Sequence, residues 1–204
     1  MRNLLALLFT CCLIHSCQAP VKELPIIGER EELPNGEIKY HTIPDFNFIS
    51  QVGDTITRAA FYNKVYVADF FFTSCPSICP KVMKQMLRIY DHTSDNSKVK
   101  MVSHTIDPKR DTPEVLRLYA SNLKIDHSRW YFLTGDKDEL LDIADEYYVA
   151  AFEDPDAPGG FDHSGKILLI ATNGHIRAFC DGTDPEDVDD FMKDIDILMK
   201  EYEL

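Results

Sequence analysis

Apolar and polar residues recur with different periods along the chain, and these periods predict its elements. The stretch 65–72, VYVADFFF, is almost continuously apolar. Such a run is typical of a strand covered on both faces, as in the centre of a parallel sheet. After Pro80 the apolar residues fall at helical spacing, with Val82 and Met86 on one face. The stretch 98–106 predicts a second central strand.

Three later helices are predicted by their first residues. Thr112, Asp136 and Asp184 each stand where a short polar side chain can accept hydrogen bonds from the free N–H groups of a helix start. Proline follows two of them, which suits the first helical turn because the missing N–H costs nothing there. We expect the helix after Asp136 to bury Leu140 and Tyr148 on its inner face.

Strand signals complete the fold prediction. Short strands around a glycine-containing turn are expected within residues 37–57, and another strand at 130–133. The stretches 166–172 and 175–180 are joined by Asn-Gly, which predicts a hairpin with a type I′ turn. This order of elements indicates an α/β, thioredoxin-like fold. We expect a central mixed β-sheet flanked by helices, with an N-terminal β-hairpin extension.

The first 17 residues have the pattern of an export signal. A basic Arg2 precedes an apolar run at 4–14, which is shorter than the roughly 20 residues that span a bilayer. The run ends in Ser16-Cys17, which resembles a bacterial lipoprotein processing site with Cys17 as the lipidated residue. An ordinary secretory signal cleaved nearby is the alternative. In both cases the protein is expected outside the cytoplasm, on the periplasmic side of the membrane.

Length and charge indicate how the rest of the chain is organised and which partners it can have. The polar, proline-containing stretch 18–36 is expected to be a tether, and residues 37–204 to form one thioredoxin-like domain that is a monomer. The formal net charge of −13 argues against nucleic acid as a partner, because phosphates would be repelled. It suits a soluble protein that meets cations or a basic partner surface.

Cysteine usage points to chemistry rather than to a disulfide scaffold. Three of the six cysteines lie in residues 1–17, which leaves Cys75, Cys79 and Cys180 in the folded body. A domain of this size needs no disulfide framework. Cys180 shares one strand face with Ile176 and Ala178, and we expect it to be a buried, inert thiol.

Cys75 and Cys79 stand where the first central strand passes into the first helix. The positive end of a helix stabilises thiolates, which are both the reactive and the metal-binding form of cysteine. If this stretch is helical, positions i and i+4 lie on one face and two sulfurs can meet one ion. A structural disulfide, a redox pair and half of a metal site all remain open from this spacing.

A third ligand would favour a metal. Two thiolates and one imidazole suit Cu(I), and Cu(II) also accepts imidazole. His163 is the candidate, because it lies in the glycine-rich stretch 157–165 just before a strand. A surface-loop histidine is the plain alternative. His104 lies in the second central strand, where a hydrogen-bonded core residue is expected.

Three stretches together resemble the Sco/SenC family of copper-binding, thioredoxin-fold proteins. FFTSCPSICP at 71–80 resembles the family's aromatic-T-x-C-P-x-x-C-P signature. TIDPKRDTP at 105–113 resembles its V-D-P-x-R-D-T-P segment, and DHS at 162–164 its D-H-S stretch. The resemblance runs roughly from residue 44 to 202, with the three motifs in the same order and at matching spacing.

The resemblance implies a role as well as a site. Cys75, Cys79 and His163 would be copper ligands, for Cu(I) or Cu(II). The protein would help to build the dinuclear copper centre of cytochrome c oxidase, by delivering copper or by reducing the cysteines of that subunit. Its partners would then be that copper-centre subunit and a copper donor. We expect Asp107 and Asp111 in the second motif to serve turn and helix-start hydrogen bonds.

Two other functions use the same residues. A thiol–disulfide oxidoreductase or peroxidase would use Cys75 and Cys79 without metal, one sulfur attacking and the other resolving. A zinc site would use two cysteines, one histidine and a water. Copper delivery, thiol reduction and redox signalling are not separable at this level.

Overall fold

The structure is a computed structural model that describes residues 23–204. The expected export signal at 1–17 and the cysteine Cys17 lie outside the described residues. Within the described part of the chain, no helix combines the length and apolar character needed to cross a bilayer.

Eleven strands and four α-helices make up the described chain. The strands are β1 (Arg30–Glu32), β2 (Ile38–Tyr40), β3 (Asn47–Ser50), β4 (Thr55–Thr57), β5 (Val65–Phe71), β6 (Val99–Thr105), β7 (Trp130–Thr134), β8 (Ala151–Glu153), β9 (Phe161–His163), β10 (Lys166–Ile170) and β11 (Ile176–Asp181). The helices are α1 (Cys79–His92), α2 (Pro113–Leu123), α3 (Lys137–Glu146) and α4 (Pro185–Glu201), with a short 3-10 helix at Arg58–Phe61.

Seven strands form one mixed sheet in the order β11-β10-β5-β6-β7-β3-β4. β5, β6 and β7 run parallel, and the remaining neighbours are antiparallel. Every residue of β5 is buried, as the continuous apolar run predicts. The predicted mixed α/β sheet is therefore confirmed, with β3 and β4 adding the expected hairpin at one edge.

The predicted helix starts are confirmed. Thr112 accepts a hydrogen bond from the N–H of Val115, and Asp136 accepts from Asp138 and Glu139. Asp184 accepts from Glu186 at the start of α4. These contacts satisfy N–H groups that have no partner inside the helix.

The inner tyrosine of α3 was predicted one residue too late. Leu140 is buried as expected, but α3 ends at Glu146 and the chain leaves helical geometry at Tyr148, where φ is +54°. Tyr148 is therefore 38% exposed, and Tyr147 is the tyrosine in the core. Its hydroxyl lies 2.9 Å from the hydroxyl of Tyr66.

The hairpin of β10 and β11 is confirmed, but its predicted turn type is wrong. A type I′ turn needs positive φ at both central residues. Here only Gly174 has positive φ, at +89°, and its N–H donates to the carbonyl of Ala171. The pairing shifts register between Leu169 and Ile170, so the extra residue is absorbed by a bulge.

Packing on the domain begins before residue 37, where the sequence places the end of the tether. Leu24 is buried, and Ile27 pairs with Ile176 at the start of β11. The guanidinium of Arg177 donates to the carbonyls of Leu24 and Pro25. β1 and β2 then form a separate two-stranded sheet. Residues 24–27 therefore lie against the domain, whereas β1 is exposed and pairs with β2.

His104 of β6 is fully buried, as expected for a central strand. The expected hydrogen bond is wrong, because neither ring nitrogen has a partner among residues 23–204. The imidazole is instead surrounded by aromatic rings, with Phe70 stacked on it at a centroid distance of 5.1 Å. Burial lowers the pKa of His104 to about 3, so the ring is neutral.

Candidate metal centre

The two cysteines lie at the carboxyl end of β5, where ligands collect in open α/β sheets. Cys75 is in the loop 72–78 that follows the strand, which we call the cysteine loop, and its N–H donates to the carbonyl of Phe72. Cys79 is the first residue of α1. Both side chains are buried, with residue exposures of 7% and 4%. The end of the strand and the start of the helix thus bring two sulfurs to one spot.

His163 arrives from a different part of the fold. It is the last residue of β9, which pairs with β8 in a small antiparallel sheet outside the main one. We call residues 151–163 the His163 hairpin. The imidazole is 8% exposed and meets the ring of Phe72 edge-on, at a centroid distance of 5.6 Å. The hairpin thus places a buried histidine over the cysteine loop.

The three side chains converge. The Nε2 atom of His163 lies 3.4 Å from the Sγ of Cys79 and 4.0 Å from the Sγ of Cys75. All three candidate ligand atoms lie within 4.8 Å of one another. The cysteines in residues 23–204 are free thiols, so both sulfurs are available. Within this described range, it is the one group of three or more potential metal ligands that meets these distances.

The histidine ring is oriented for binding through Nε2. Its Nδ1 faces the carbonyl of Ser164 at 3.3 Å. A carbonyl oxygen can only accept, so this contact favours the proton on Nδ1. Nε2 then faces the two sulfurs, where it can donate to a thiolate when it carries a proton or bind an ion through its lone pair when it does not. Fixing the second nitrogen in this way is how proteins orient metal-binding imidazoles.

The two thiols differ in acidity. Burial alone would raise the pKa of Cys75, but hydrogen bonds from His163 and from the Cys79 backbone outweigh it and lower the pKa to about 6. For Cys79, burial raises the pKa well above the usual range of a thiol, and the neighbouring sulfur of Cys75 adds to this. Without metal the pair therefore carries one thiolate and one thiol at neutral pH.

Asp111 ties the cysteine loop to the adjacent strand. Its buried carboxylate accepts the backbone N–H of Thr73 at 3.0 Å and the hydroxyl of Thr105 at 2.5 Å. The hydroxyl of Thr73 also donates to it. The expectation that Asp111 serves the start of α2 is wrong, since Thr112 caps that helix. Asp111 lies in the turn that follows β6, the parallel neighbour of β5, and this position is the signal that points to this role.

The sequence expectations for Cys75, His163 and Cys180 have different outcomes in the structure. A helical stack of i and i+4 is wrong for Cys75, which precedes the helix, although the sulfurs still meet. The glycine-rich stretch does bring His163 to the cysteines. Cys180 lies elsewhere, buried on β11 opposite Ile167.

Four other histidines make hydrogen-bond contacts away from the two cysteines. The ring of His41 contacts the carbonyl of Glu146, and that of His175 contacts the carbonyl of His41. The ring of His92 contacts Asp196, and that of His127 contacts the amide of Gln51.

This donor set has a definite chemistry. Two thiolates and one imidazole form a soft site of low coordination number, which suits Cu(I) and accepts Cu(II). The buried surroundings and the absence of a competing disulfide fit such an ion. The same atoms would also permit a disulfide, because the sulfurs lie close together.

Comparison with known families finds a match over most of the chain. The model of the SCO1/SenC family matches residues 35–200. This range includes the cysteine loop, the turn at 107–111 and the His163 hairpin.

Solved structures with the same fold carry related descriptions. A SCO1/SenC family lipoprotein from Bacillus anthracis str. Ames superposes with a TM-score of 0.71 at 26% identity, covering 77% of this chain and 94% of that one. BsSco, described as having a disulfide switch and as a member of the Sco family of cytochrome c oxidase assembly proteins, gives 0.68 at 25% identity, covering 78% and 93%. Arabidopsis thaliana ScoI with copper bound gives 0.66 at 25%, covering 78% and 98%.

Proposed function

Because the chain belongs to the SCO1/SenC family, we propose that it binds one copper ion through Cys75, Cys79 and His163. The observation that carries this proposal is the convergence of two buried sulfurs and one imidazole nitrogen within 4.8 Å. A copper-bound structure of a similar protein, Arabidopsis thaliana ScoI, supports the choice of metal. The soft donor set supports it independently.

Each residue has a separate task in this proposal. Cys75 is the first thiolate, because its pKa of about 6 leaves it deprotonated at neutral pH. Cys79 gives up its proton when the ion is bound, so binding releases protons. His163 contributes the neutral nitrogen Nε2, held by the contact of Nδ1 with Ser164. Bound copper would supply a soft cation that can also change oxidation state.

We further propose that the protein assists assembly of the dinuclear copper centre of cytochrome c oxidase. Support comes from the similar protein BsSco, which is described as a member of a family of oxidase assembly proteins. Copper delivery to that subunit and reduction of its cysteines both use this site. The proposed partners are therefore the copper-centre subunit and a copper donor.

Export and tethering belong to the same proposal. The signal pattern at 1–17 and the residue Cys17 suggest a lipid anchor on the periplasmic side of the membrane. The similar Bacillus anthracis structure is described as a lipoprotein. Metabolic labelling with a fatty acid tests the anchor, because Cys17→Ser should abolish incorporation.

An anaerobic copper titration of the reduced protein tests the metal site. We expect one equivalent to bind, and Cu(II) to give a visible thiolate-to-copper absorption. Cys75→Ser and Cys79→Ser should each remove that absorption. Cys180→Ser is the matched control, because it removes a buried thiol outside the site and should leave the spectrum unchanged.

Two results would contradict the copper site. One is a spectrum that survives in both site variants. The other is equal or stronger retention of zinc when both ions are supplied in equal amounts, because Cu(II) should outcompete zinc at such a site.

A thiol–disulfide exchange function is the second candidate, favoured by the low pKa of Cys75 beside a second free thiol. Here the Cys75 thiolate attacks a partner's disulfide and releases one partner thiolate. Cys79 then loses its proton, attacks the mixed disulfide and releases the second. Two electrons pass to the partner, and Cys75 and Cys79 are left joined by an S–S bond. Stoichiometric reduction of an oxidised cysteine pair by the metal-free protein, lost in Cys79→Ser, tests it.

A further inference from the structure

Arg110 holds a position between the two halves of the metal centre. It lies in the turn that follows β6, where the N–H groups of Arg110 and Asp111 both donate to the carbonyl of Asp107. Asp111 in turn anchors this turn to Thr73 at the root of the cysteine loop. The backbone that carries Arg110 is therefore fixed relative to Cys75.

The guanidinium reaches from this turn to the His163 hairpin. Its Nη1 atom lies 2.8 Å from the carboxylate of Asp107 and 3.0 Å from the carbonyl of Gly159. The hydroxyl of Ser74, next to Cys75, is a longer contact at 3.4 Å. Since Nη1 carries two hydrogens, the two short contacts occupy it and Asp107 aims the group at Gly159.

Gly159 is where the hairpin touches the cysteine loop. Its φ is +86°, and a Cβ there would lie 2.6 Å from Cε2 of Phe72 and 3.4 Å from Cδ of Pro76. The backbone at this point is thus pressed against the loop that carries Cys75. Arg110 binds the carbonyl of the same residue, four positions before His163. One residue of the hairpin is therefore held from two sides.

The other contacts of the hairpin with the domain are made by side chains, among them the ring of Phe161, whose centroid lies 5.4 Å from that of Phe72. A cavity of about 610 Å³ separates the turn at 107–110 and the start of α3 from Glu153 and Gly160–Phe161. The ion pair of Lys137 with Glu153 crosses it at 2.5 Å. In the part of the chain that the structure describes, β8 and β9 pair only with each other, so hydrogen bonds of the main sheet do not fix His163. Contacts made by side chains must therefore fix the position of the His163 hairpin.

We propose that Arg110 is a positioning residue that latches the His163 hairpin onto the cysteine loop and sets how long His163 stays over the two sulfurs. This inference rests on the proposed function of the site. Arg110 is not a ligand, and it acts through Gly159 on His163. Arg110 belongs to the motif at 105–113. In this proposal, that motif holds the cysteine motif at 71–80 and the histidine motif at 162–164 together.

Hydrogen exchange of the metal-free reduced protein tests the latch directly. In Arg110→Ala, the amides of Asp154, Gly160 and Ser164, which bond inside or beside the hairpin, should exchange about three- to tenfold faster. This range follows from losing a charge-assisted hydrogen bond at a half-exposed side chain. The amide of Ile106, which bonds to Phe71 in the main sheet, should not change.

Lys109→Ala is the matched control. It removes one positive charge from the next residue, which lines the same cavity and is exposed. Its exchange should equal that of the wild type. Arg110→Lys, which keeps the charge but not the planar fork, should fall between the wild type and Arg110→Ala. Equal exchange in Arg110→Ala and Lys109→Ala would overturn the latch.

Copper release distinguishes action through His163 from a general structural effect. With a chelator in excess, release of Cu(II) from Arg110→Ala should be about three- to tenfold faster than from the wild type. In a His163→Ala background the same substitution should have no further effect. An undiminished effect there would overturn the inference. If the wild type bound no copper, the proposed function would fail, while the exchange experiment would still decide on the latch.

Discussion

Two histidines are buried in residues 23–204, and they lie in opposite surroundings. His104 is in the central strand β6 and has aromatic rings for neighbours, with no partner on either nitrogen. His163 is at the end of a two-stranded ribbon outside the main sheet, with a nitrogen 3.4 Å from the sulfur of Cys79. Both histidines are buried, but only His163 has other potential metal ligands within reach.

The difference follows from where each backbone lies. A central strand is fixed by hydrogen bonds on both sides, and its side chains face packed layers of apolar residues. A residue there can meet only what those layers contain. The His163 hairpin is attached through side chains and one glycine, so its histidine can lie across a loop from another part of the chain. A buried histidine is therefore a ligand candidate only when other donors reach the same spot.

Replacing each histidine in turn should give the largest contrast. Structural zinc sites with four ligands bind with about 10–16 kcal/mol, which is about 2.5–4 kcal/mol for each ligand. His163→Ala should therefore weaken copper binding about 100- to 1,000-fold. His104→Leu, which is close in volume, should leave the affinity within about threefold. Competition with a chelator of known affinity measures both.

Equal losses in the two variants would break the comparison. They would mean that the core around His104 sets the geometry of the centre, rather than the imidazole of His163. A normal far-ultraviolet spectrum for each variant is needed as a control, so that a loss of binding is not a loss of fold.

Sequence reasoning predicts most of this arrangement, for reasons that are local. The strand β5 follows from a nearly continuous apolar run, and the helix starts follow from Thr112, Asp136 and Asp184. The position of Cys75 and Cys79 at a strand-to-helix junction follows from the change of period. In each case the deciding interactions lie within a few residues along the chain.

The parts that sequence did not supply depend on distant contacts. Nothing near His104 indicates that both of its nitrogens lack a partner, because that depends on Phe46, Phe48 and Tyr147. The approach of His163 to the cysteines came from fold knowledge and family resemblance, not from spacing. The role of Asp111 was missed because its partner Thr73 is 38 residues away.

The acid stability of the protein should show how differently His104 is situated. Burial lowers its folded pKa to about 3, against 6.5 when unfolded. Below pH 6.5 the unfolded chain therefore binds a proton that the folded protein refuses, and stability falls until pH 3 is approached. At pH 4.5 this amounts to about 2.5 to 3 kcal/mol. His104→Leu should remove that part of the pH dependence.

Chemical denaturation at pH 7 and at pH 4.5 measures this, as the difference between wild type and variant at each pH. The difference is needed because other groups titrate as well. Burial raises the pKa of Asp69 to about 7, so the folded state binds its proton more tightly and this group contributes the opposite slope. If the difference in unfolding free energy between His104→Leu and the wild type were the same at both pH values, His104 would not be a neutral, buried group.

The smallest effect concerns the acidity of Cys75, and it isolates what His163 does before any metal is bound. Hydrogen bonds from His163 and from the backbone overcome the effect of burial and bring the pKa of Cys75 to about 6. In reduced, metal-free protein the thiolate should therefore form with a midpoint near pH 6, followed by its ultraviolet absorbance in a Cys79→Ser, Cys180→Ser background. Removing one hydrogen bond to the thiolate, by His163→Ala, should raise this midpoint by about one unit. His104→Leu should leave the midpoint in place, because that ring lies among aromatic neighbours.

A titration midpoint that is the same with and without His163 would contradict this role. It would mean that the backbone at the start of α1 alone stabilises the thiolate, and that the imidazole meets the sulfurs only when an ion draws them together.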